Sequence, residues 1–127
     1  MITGIEHVAI YGKDTKMLAN WYADLFDGRI VYDNGKGTYF VAFADNSMIE
    51  FCLNDSYTNE ITLLEKPGIR HIAFYTDTFE ETVQKVKDAK VTIIKDVPNI
   101  PSSVGIMFFR DPEGNILHII SRQTPLV

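Results

Sequence analysis

The feature that most constrains this chain is a short segment that occurs twice. It reads Gly4-Ile-Glu-His-Val-Ala-Ile-Tyr11 near the start and Gly68-Ile-Arg-His-Ile-Ala-Phe-Tyr75 further on. Glycine, histidine, alanine and tyrosine stand at the same places in both copies, so His7 corresponds to His71. An internal repeat of this kind predicts a module that has been duplicated within the chain.

Each copy is typical of a β-strand, in which residues two apart share a face. His7, Ala9 and Tyr11 are predicted to point one way, and Val8 and Ile10 the other. The second copy repeats this alternation, so both histidines are expected in mid-strand at matching places. A hydrogen-bonded core histidine is the ordinary interpretation, and duplication can copy a structural residue. Two histidines in matching places also allow a shared functional role.

The first half contains a predicted helix between its first two strands. Asp14 or Thr15 is expected to cap this helix, and Gly28 to end it in a left-handed backbone conformation. In the second half, Asp77 or Thr78 is the corresponding cap. The residues predicted to face the core are Leu18, Trp21, Tyr22, Leu25 and Phe26 in the first helix, and Phe79, Val83, Val86 and Ala89 in the second.

The remaining strand and turn signals give both halves the order strand, helix, strand, strand, strand. The predicted fold class is α+β, with two tandem βαβββ modules in a single domain that covers residues 1–127. Module one covers 4–53, a polar linker 54–67, and module two 68–121. The predicted strands cover 4–11, 29–32, 39–44, 48–53, 69–76, 91–95, 105–110 and 115–121, and a loop with two prolines covers 97–104.

Charge and composition exclude several classes of function. A net charge of −5 and a pI near 5.1 argue against sequence-independent nucleic-acid binding, which needs basic clusters to displace counterions. No apolar run is long enough to span a membrane, and the N-terminus lacks a signal-peptide pattern. We therefore expect a soluble, cytoplasmic protein that does not bind membranes. Its one cysteine, Cys52, excludes an intrachain disulfide.

The last strand of each module contains one polar residue among apolar neighbours. Glu50 shares a face with Met48 and Cys52, and His118 holds the corresponding place in module two. A buried, unpaired carboxylate costs several kcal/mol. Glu50 is therefore expected to be protonated, paired with a cation, bound to a metal or exposed in a cavity, and Arg110 is the best candidate for the cation.

Together, the four strand positions supply three imidazoles and one carboxylate, from His7, Glu50, His71 and His118. This donor set suits zinc, iron, nickel, manganese or cobalt, whereas calcium and magnesium prefer sites made of oxygen. One metal site requires the first and last strands of both modules to line a common cup.

The module order and the motifs resemble the vicinal oxygen chelate superfamily, which includes glyoxalase I, bleomycin-resistance proteins and extradiol dioxygenases. The resemblance is carried by two G-I-x-H-[VI]-A openings and by the ending Asp111-Pro-Glu-Gly-Asn-Ile-Leu-His-Ile, and it covers residues 4–121. It implies a cup-shaped mixed sheet with helices on the outside, and a divalent metal held within a chain or across a homodimer. The implied metal ligands are His7, Glu50, His71 and His118.

One position departs from the family pattern. Bacterial glyoxalase I resembles this chain at His7, Glu50 and His71, but it has a glutamate where this sequence has His118. The change argues against lactoylglutathione lyase activity, and equally against extradiol dioxygenases and fosfomycin-resistance enzymes. From the equivalent place in module one, Glu50 can still supply the carboxylate of a set with two histidines.

The resemblance implies a metal-dependent, glyoxalase-like lyase or isomerase that binds a small vicinal-oxygen substrate and stabilises an enediolate-type intermediate. Glu50 is the expected base, and His118 a ligand with a second role as acid. Two alternatives remain: an Fe(II)-dependent extradiol-type dioxygenase, and a metal-free, bleomycin-resistance-like protein that sequesters its ligand. Residues of these types at alternating strand positions are more often ordinary core, with lining of the cup as the alternative: Tyr11, Tyr75, Met48, Cys52 and Met107.

Overall fold

The computed structural model describes residues 5–55, 69, 71–97, 104–124 and 126, without the side chains of 96 and 97. The chain divides into two compact units, Met1–Thr58 and Asn59–Val127, and the boundary falls inside the predicted linker. Most of the linker and of the loop at 97–104 lies outside the described residues. The single domain and its module limits stay predictions.

The described part of each unit contains one helix and a four-stranded mixed sheet, in the predicted order. Unit one consists of β1 (His7–Gly12), α1 (Thr15–Leu25), β2 (Arg29–Asp33), β3 (Tyr39–Ala42) and β4 (Met48–Leu53). Unit two consists of β5 (Ile72–Tyr75), α2 (Phe79–Asp88), β6 (Ile93–Val97), β7 (Val104–Arg110) and β8 (Ile116–Arg122). The sheet orders are β1-β4-β3-β2 and β5-β8-β7-β6, with β1 parallel to β4 and β5 parallel to β8.

The two histidines lie at the start of their strands and not in mid-strand. His7 is the first residue of β1 because it pairs with Met48, where its partner strand β4 begins. In the second copy the ladder begins only at Ile72, which pairs with Leu117, so His71 immediately precedes β5. The predicted strand at 69–76 is therefore shorter than expected.

Helix α1 begins as predicted and packs against its sheet along one face. Asp14 is the N-cap, and its Oδ1 accepts a hydrogen bond of 3.0 Å from the backbone N–H of Met17. Trp21 and Phe26, both predicted to be buried, are half-buried. The buried positions are Thr15, Leu18, Ala19, Tyr22 and Leu25.

The predicted role of Gly28 is wrong. The helix ends at Leu25, and the residue with a positive φ, of 53°, is Asp27. Gly28 is instead a point of close approach, since a Cβ there would lie 2.8 Å from Cγ1 of Val41 and 3.1 Å from the carbonyl oxygen of Ala42. The glycine lets the connection between α1 and β2 lie directly against β3.

Helix α2 has a weaker N-terminus than α1. Its N-cap is Thr78, whose side chain makes no capping hydrogen bond. Phe79 and Val86 are buried as predicted, whereas Val83 is half-buried and Ala89 is exposed. The prediction for Ala89 fails because the helix ends at Asp88, so the apolar periodicity no longer applies there.

No helix among the described residues is long and apolar enough to cross a membrane.

We expect Asp14→Ala to lower the free energy of unfolding by about 1 kcal/mol, because it removes an N-cap hydrogen bond. Thr78→Ala is the matched control, since the side chain of this N-cap residue accepts no capping hydrogen bond from its helix. Urea unfolding monitored by circular dichroism measures both changes. An equal loss in the two variants would contradict a capping role for Asp14.

Candidate metal centre

The strand register places Glu50 and His118 at equivalent positions in the two sheets. Glu50 pairs with Ala9 on one side and Phe40 on the other. His118 pairs with Ala73 and Phe108 in the same way. Each side chain therefore lies on the sheet face opposite the helix. Glu50 lies beside β1, which begins at His7, and His118 lies beside β5, which follows His71.

In unit one the structure brings His7 and Glu50 together. Nε2 of His7 lies 3.4 Å from Oε2 of Glu50, and Nδ1 of the same ring lies 3.0 Å from Oε1 of Glu6. A proton on Nδ1, donated to Glu6, leaves the Nε2 lone pair on the Glu50 side. A carboxylate that orients an imidazole through its other nitrogen is common around metal-binding histidines.

Glu50 is half-buried and lies beside the ring of His7. Its side chain is 23% exposed, and that of His7 is 35% exposed. A half-buried carboxylate avoids much of the cost of burial, because solvent remains within reach. Glu50 is therefore accessible to a small ligand.

In unit two the structure brings His71 and His118 together. Their ring centroids lie 4.4 Å apart, with an angle of 33° between the ring planes. His118 is buried, with 7% of its surface exposed, and His71 is half-buried. Phe108 contacts both rings, at centroid distances of 5.4 Å and 4.6 Å. Three rings from three neighbouring segments thus form one cluster.

Of the residues considered for the cup lining, Met107 is an ordinary core residue, as its type and position favour. Met107 is fully buried on the helix side of its sheet, because β7 alternates and Phe108 takes the opposite face. Tyr11 and Tyr75 are exposed, and Met48 is half-buried on the face of Glu50.

Cys52 lies two residues beyond Glu50 on the same face. Burial raises the pKa of the Cys52 thiol, and a hydrogen bond with Glu50 and the charge of that carboxylate raise it further. A thiol with a raised pKa is protonated at neutral pH and is a poor nucleophile. The geometry therefore favours the interpretation of Cys52 as an inert neighbour of Glu50.

Each unit thus supplies two of the four predicted donors. Within either unit, the described residues contain no group of three or more His, Cys, Asp or Glu side chains that could hold a metal ion. The chemistry of the two pairs, three imidazoles and one accessible carboxylate, fits a divalent transition metal. That both pairs bind one ion stays a prediction.

Three residues next to the pairs were not found from the sequence. Glu6 contacts His7, and Phe40 and Phe108 pack against the repeated histidines. The signal was present for the two phenylalanines, because the spacing that relates Glu50 to His118 also relates Phe40 to Phe108. Aligning the third strands as well as the first would have identified them.

Comparison with known proteins gives one family and a consistent fold. The model of the Glyoxalase/Bleomycin resistance protein/Dioxygenase superfamily matches residues 4–119. Fosfomycin resistance protein FosX from Listeria monocytogenes is 19% identical over 124 residues, covering 94% of this chain and 90% of FosX. Metallothiol transferase FosB from Staphylococcus saprophyticus is 28% identical over 120 residues, covering 91% and 74% of the two chains.

Solved structures agree on the fold. A FosX variant complexed with Mn(II) and 1S,2S-dihydroxypropylphosphonic acid is 21% identical, with a TM-score of 0.72 over 94% of this chain and 90% of that one. A glyoxylase/bleomycin resistance protein/dioxygenase domain from Frankia sp. EAN1pec is 18% identical, with a TM-score of 0.76 over 97% and 100%. The predicted α+β class with two βαβββ units is confirmed.

The comparisons also bear on the reaction. On sequence grounds, His118 counts against fosfomycin-resistance enzymes, yet a fosfomycin resistance protein is among the relatives. Identities of 19% and 28% do not fix the substrate. The reaction has to be inferred from the residues at the site.

Proposed function

Because this chain belongs to the Glyoxalase/Bleomycin resistance protein/Dioxygenase superfamily, we propose that it is a metal-dependent enzyme acting on a small substrate with vicinal oxygens. The proposed ligands are His7, Glu50, His71 and His118. The observation that carries the proposal is the pairing of donors at equivalent register positions, His7 with Glu50 and His71 with His118.

The proposed cofactor is a divalent transition metal: zinc, nickel, iron, manganese or cobalt. Mixed imidazole and carboxylate donors suit this group of ions. The Mn(II) in the FosX complex supports the assignment, because manganese belongs to the same group. When bound, the metal supplies a Lewis acid that polarises the substrate oxygens.

Glu50 is the proposed base. Its carboxylate is 23% exposed and Oε2 lies 3.4 Å from Nε2 of His7, so a substrate proton can reach that oxygen beside the ring. In a lyase or isomerase reaction, Oε2 removes the proton from the carbon next to a substrate oxygen. His118 is buried among rings, which suits a ligand that excludes water, with a second role as acid.

A second candidate function is modification of a phosphonate. FosX is a fosfomycin resistance protein crystallised with a dihydroxypropylphosphonic acid, and FosB is a metallothiol transferase. Glu50 can serve this reaction too, by taking the proton of the attacking water or thiol. A substrate panel containing a methylglyoxal–glutathione hemithioacetal, fosfomycin with water or a thiol, and a catechol under oxygen separates these reactions.

We expect protein purified without an affinity tag to contain a stoichiometric divalent metal, and chelation to lower its melting temperature. A ligand that binds the native state at 100 times its Kd adds about 2.7 kcal/mol of stability. Elemental analysis and thermal unfolding with and without EDTA measure both effects. A metal-free protein whose melting temperature does not respond to chelator or to added Mn(II) would instead indicate a ligand-sequestering protein. Bound iron with catechol-dependent oxygen consumption would indicate a dioxygenase.

A further inference from the structure

We propose that Phe108, and Phe40 at the equivalent place in unit one, are positioning residues that hold the imidazoles of the metal ligands in their binding orientation. The inference rests on the proposed function, since it concerns the same ligands. It adds two aromatic residues, neither of which is itself a metal donor.

The geometry is clearest in unit two, where one ring contacts two proposed ligands. The ring of Phe108 is nearly perpendicular to both imidazoles, at 88° to His71 and 78° to His118. The two imidazoles in turn lie at 4.4 Å from each other. Each ring therefore limits the rotation of the other two, because turning one would bring its edge into a neighbour.

Unit one repeats the arrangement with a single imidazole. Phe40 lies 5.2 Å from His7 at an angle of 74°, and it pairs in register with Glu50, as Phe108 pairs with His118. The two contacts thus occur at the same place in both copies of the module. His7 is also held through Nδ1 by Glu6. We expect the ring of Phe40 to matter less than that of Phe108, which contacts two ligands.

The physical need for such residues follows from the histidine side chain. Rotation about its second side-chain torsion is broad and weakly restrained, so the ring plane depends on its neighbours. A metal bond requires the nitrogen lone pair to point at the ion, and losing the groups that orient a ligand typically weakens metal binding 10–100-fold. Perpendicular aromatic packing can provide this restraint.

The next residue in the chain offers a matched control for ordinary packing. Phe109 is fully buried on the helix side of the same strand, whereas Phe108 is half-buried on the histidine side. If Phe108 were only a core residue, its replacement would resemble that of Phe109, with lower stability and unchanged ligand geometry. Replacing a positioning residue would instead change the ligand geometry and the metal affinity of the folded protein.

The test measures Co(II) affinity and the Co(II) absorption spectrum of the purified full chain, together with its melting temperature. Phe108→Leu is expected to weaken Co(II) binding about 10-fold or more and to change the spectrum. Phe108→Tyr, which keeps the ring, is expected to retain wild-type affinity and spectrum. Phe109→Leu is expected to lower the melting temperature while the folded protein keeps its Co(II) affinity. Phe40→Leu provides a second arm, with a smaller loss of affinity, and serves if Phe108→Leu does not fold.

The outcomes separate this inference from the proposed function. Wild-type protein that binds no Co(II) would overturn the proposed function, and the positioning role with it. If the wild type binds Co(II) and both Phe108→Leu and Phe40→Leu bind it with the affinity of the wild type, the positioning role alone is overturned. The positioning role is also overturned if Phe109→Leu weakens Co(II) binding as much as Phe108→Leu does.

Discussion

Glu50→Gln is expected to lower turnover by at least about 100-fold while leaving the fold intact, because loss of a general base typically costs 10²- to 10⁴-fold. Glutamine keeps the size and shape of the side chain but cannot take a proton or supply a negatively charged ligand. The side chain is 23% exposed beside His7, so the neutral amide can be accommodated without opening a cavity. The measurement is the initial rate on whichever substrate of the panel the wild type converts, at saturating metal.

The metal content of the Glu50→Gln variant distinguishes the two proposed roles of the carboxylate. If the variant binds metal normally and loses turnover, Glu50 acts as the base. If metal binding falls along with turnover, Glu50 is a ligand whose charge the site needs. Wild-type turnover in the variant would contradict both roles and remove Glu50 from the mechanism.

Glu80→Gln is the matched control for this experiment. It makes the same chemical change at an exposed position in the first turn of α2. Removing a negative charge near a helix N-terminus costs at most about 1 kcal/mol, and no metal or substrate contact is proposed for that residue. Its turnover is expected to equal that of the wild type, so a rate loss confined to Glu50→Gln reflects the site.

Much of the fold follows from the sequence because duplication and alternation are strong local signals. The repeated histidine segment locates the first strand of each unit, and the period of two in the last strands puts Glu50 and His118 at equivalent positions of their own sheets, as the register shows. Strand ends are harder to predict, because pairing decides them. His7 begins its strand only because Met48 begins the partner strand, a constraint that no local window contains.

Other failures have the same origin in tertiary contacts. Gly28 is required because a side chain there would meet Val41 and Ala42, which come later in the chain. Its position after a helix predicted a left-handed helix end instead. Ring contacts such as that of Phe108 with His118 also depend on side-chain orientation, so the matching spacing of Phe40 and Phe108 identifies the residues and not their contacts.

The sequence predicts a set of candidate donor residues and not a reaction. Three histidines and one glutamate form a donor set that suits a divalent transition metal, and their binding of one ion stays a prediction. The family fold does not select a reaction, because one fold can carry many functions.

Phe51→Ala is expected to lower the free energy of unfolding by about 3–5 kcal/mol, the usual cost of truncating a buried phenylalanine. Phe51 is fully buried, packs at 4.8 Å against the ring of Tyr22 on α1, and pairs in register with Ile10 and Tyr39. Its loss would leave a cavity between helix and sheet. Because native domains are stable by only about 5–15 kcal/mol, the variant is expected to lose a large part of its stability. Urea unfolding measures the change through the midpoint and the slope.

Leu53→Ala tests whether burial is the cause. Leu53 shares the strand and the face of Phe51 but is 46% exposed, so its truncation is expected to cost less than about 1 kcal/mol. Equal losses in the two variants would show that the helix-facing side of β4 is not the core of this unit. Folded Phe51→Ala protein is expected to retain its metal and its turnover, because Phe51 points away from His7. Glu50→Gln is expected to keep its stability and lose turnover. Because neighbouring residues of a strand face opposite sides, these two adjacent positions test stability and chemistry separately.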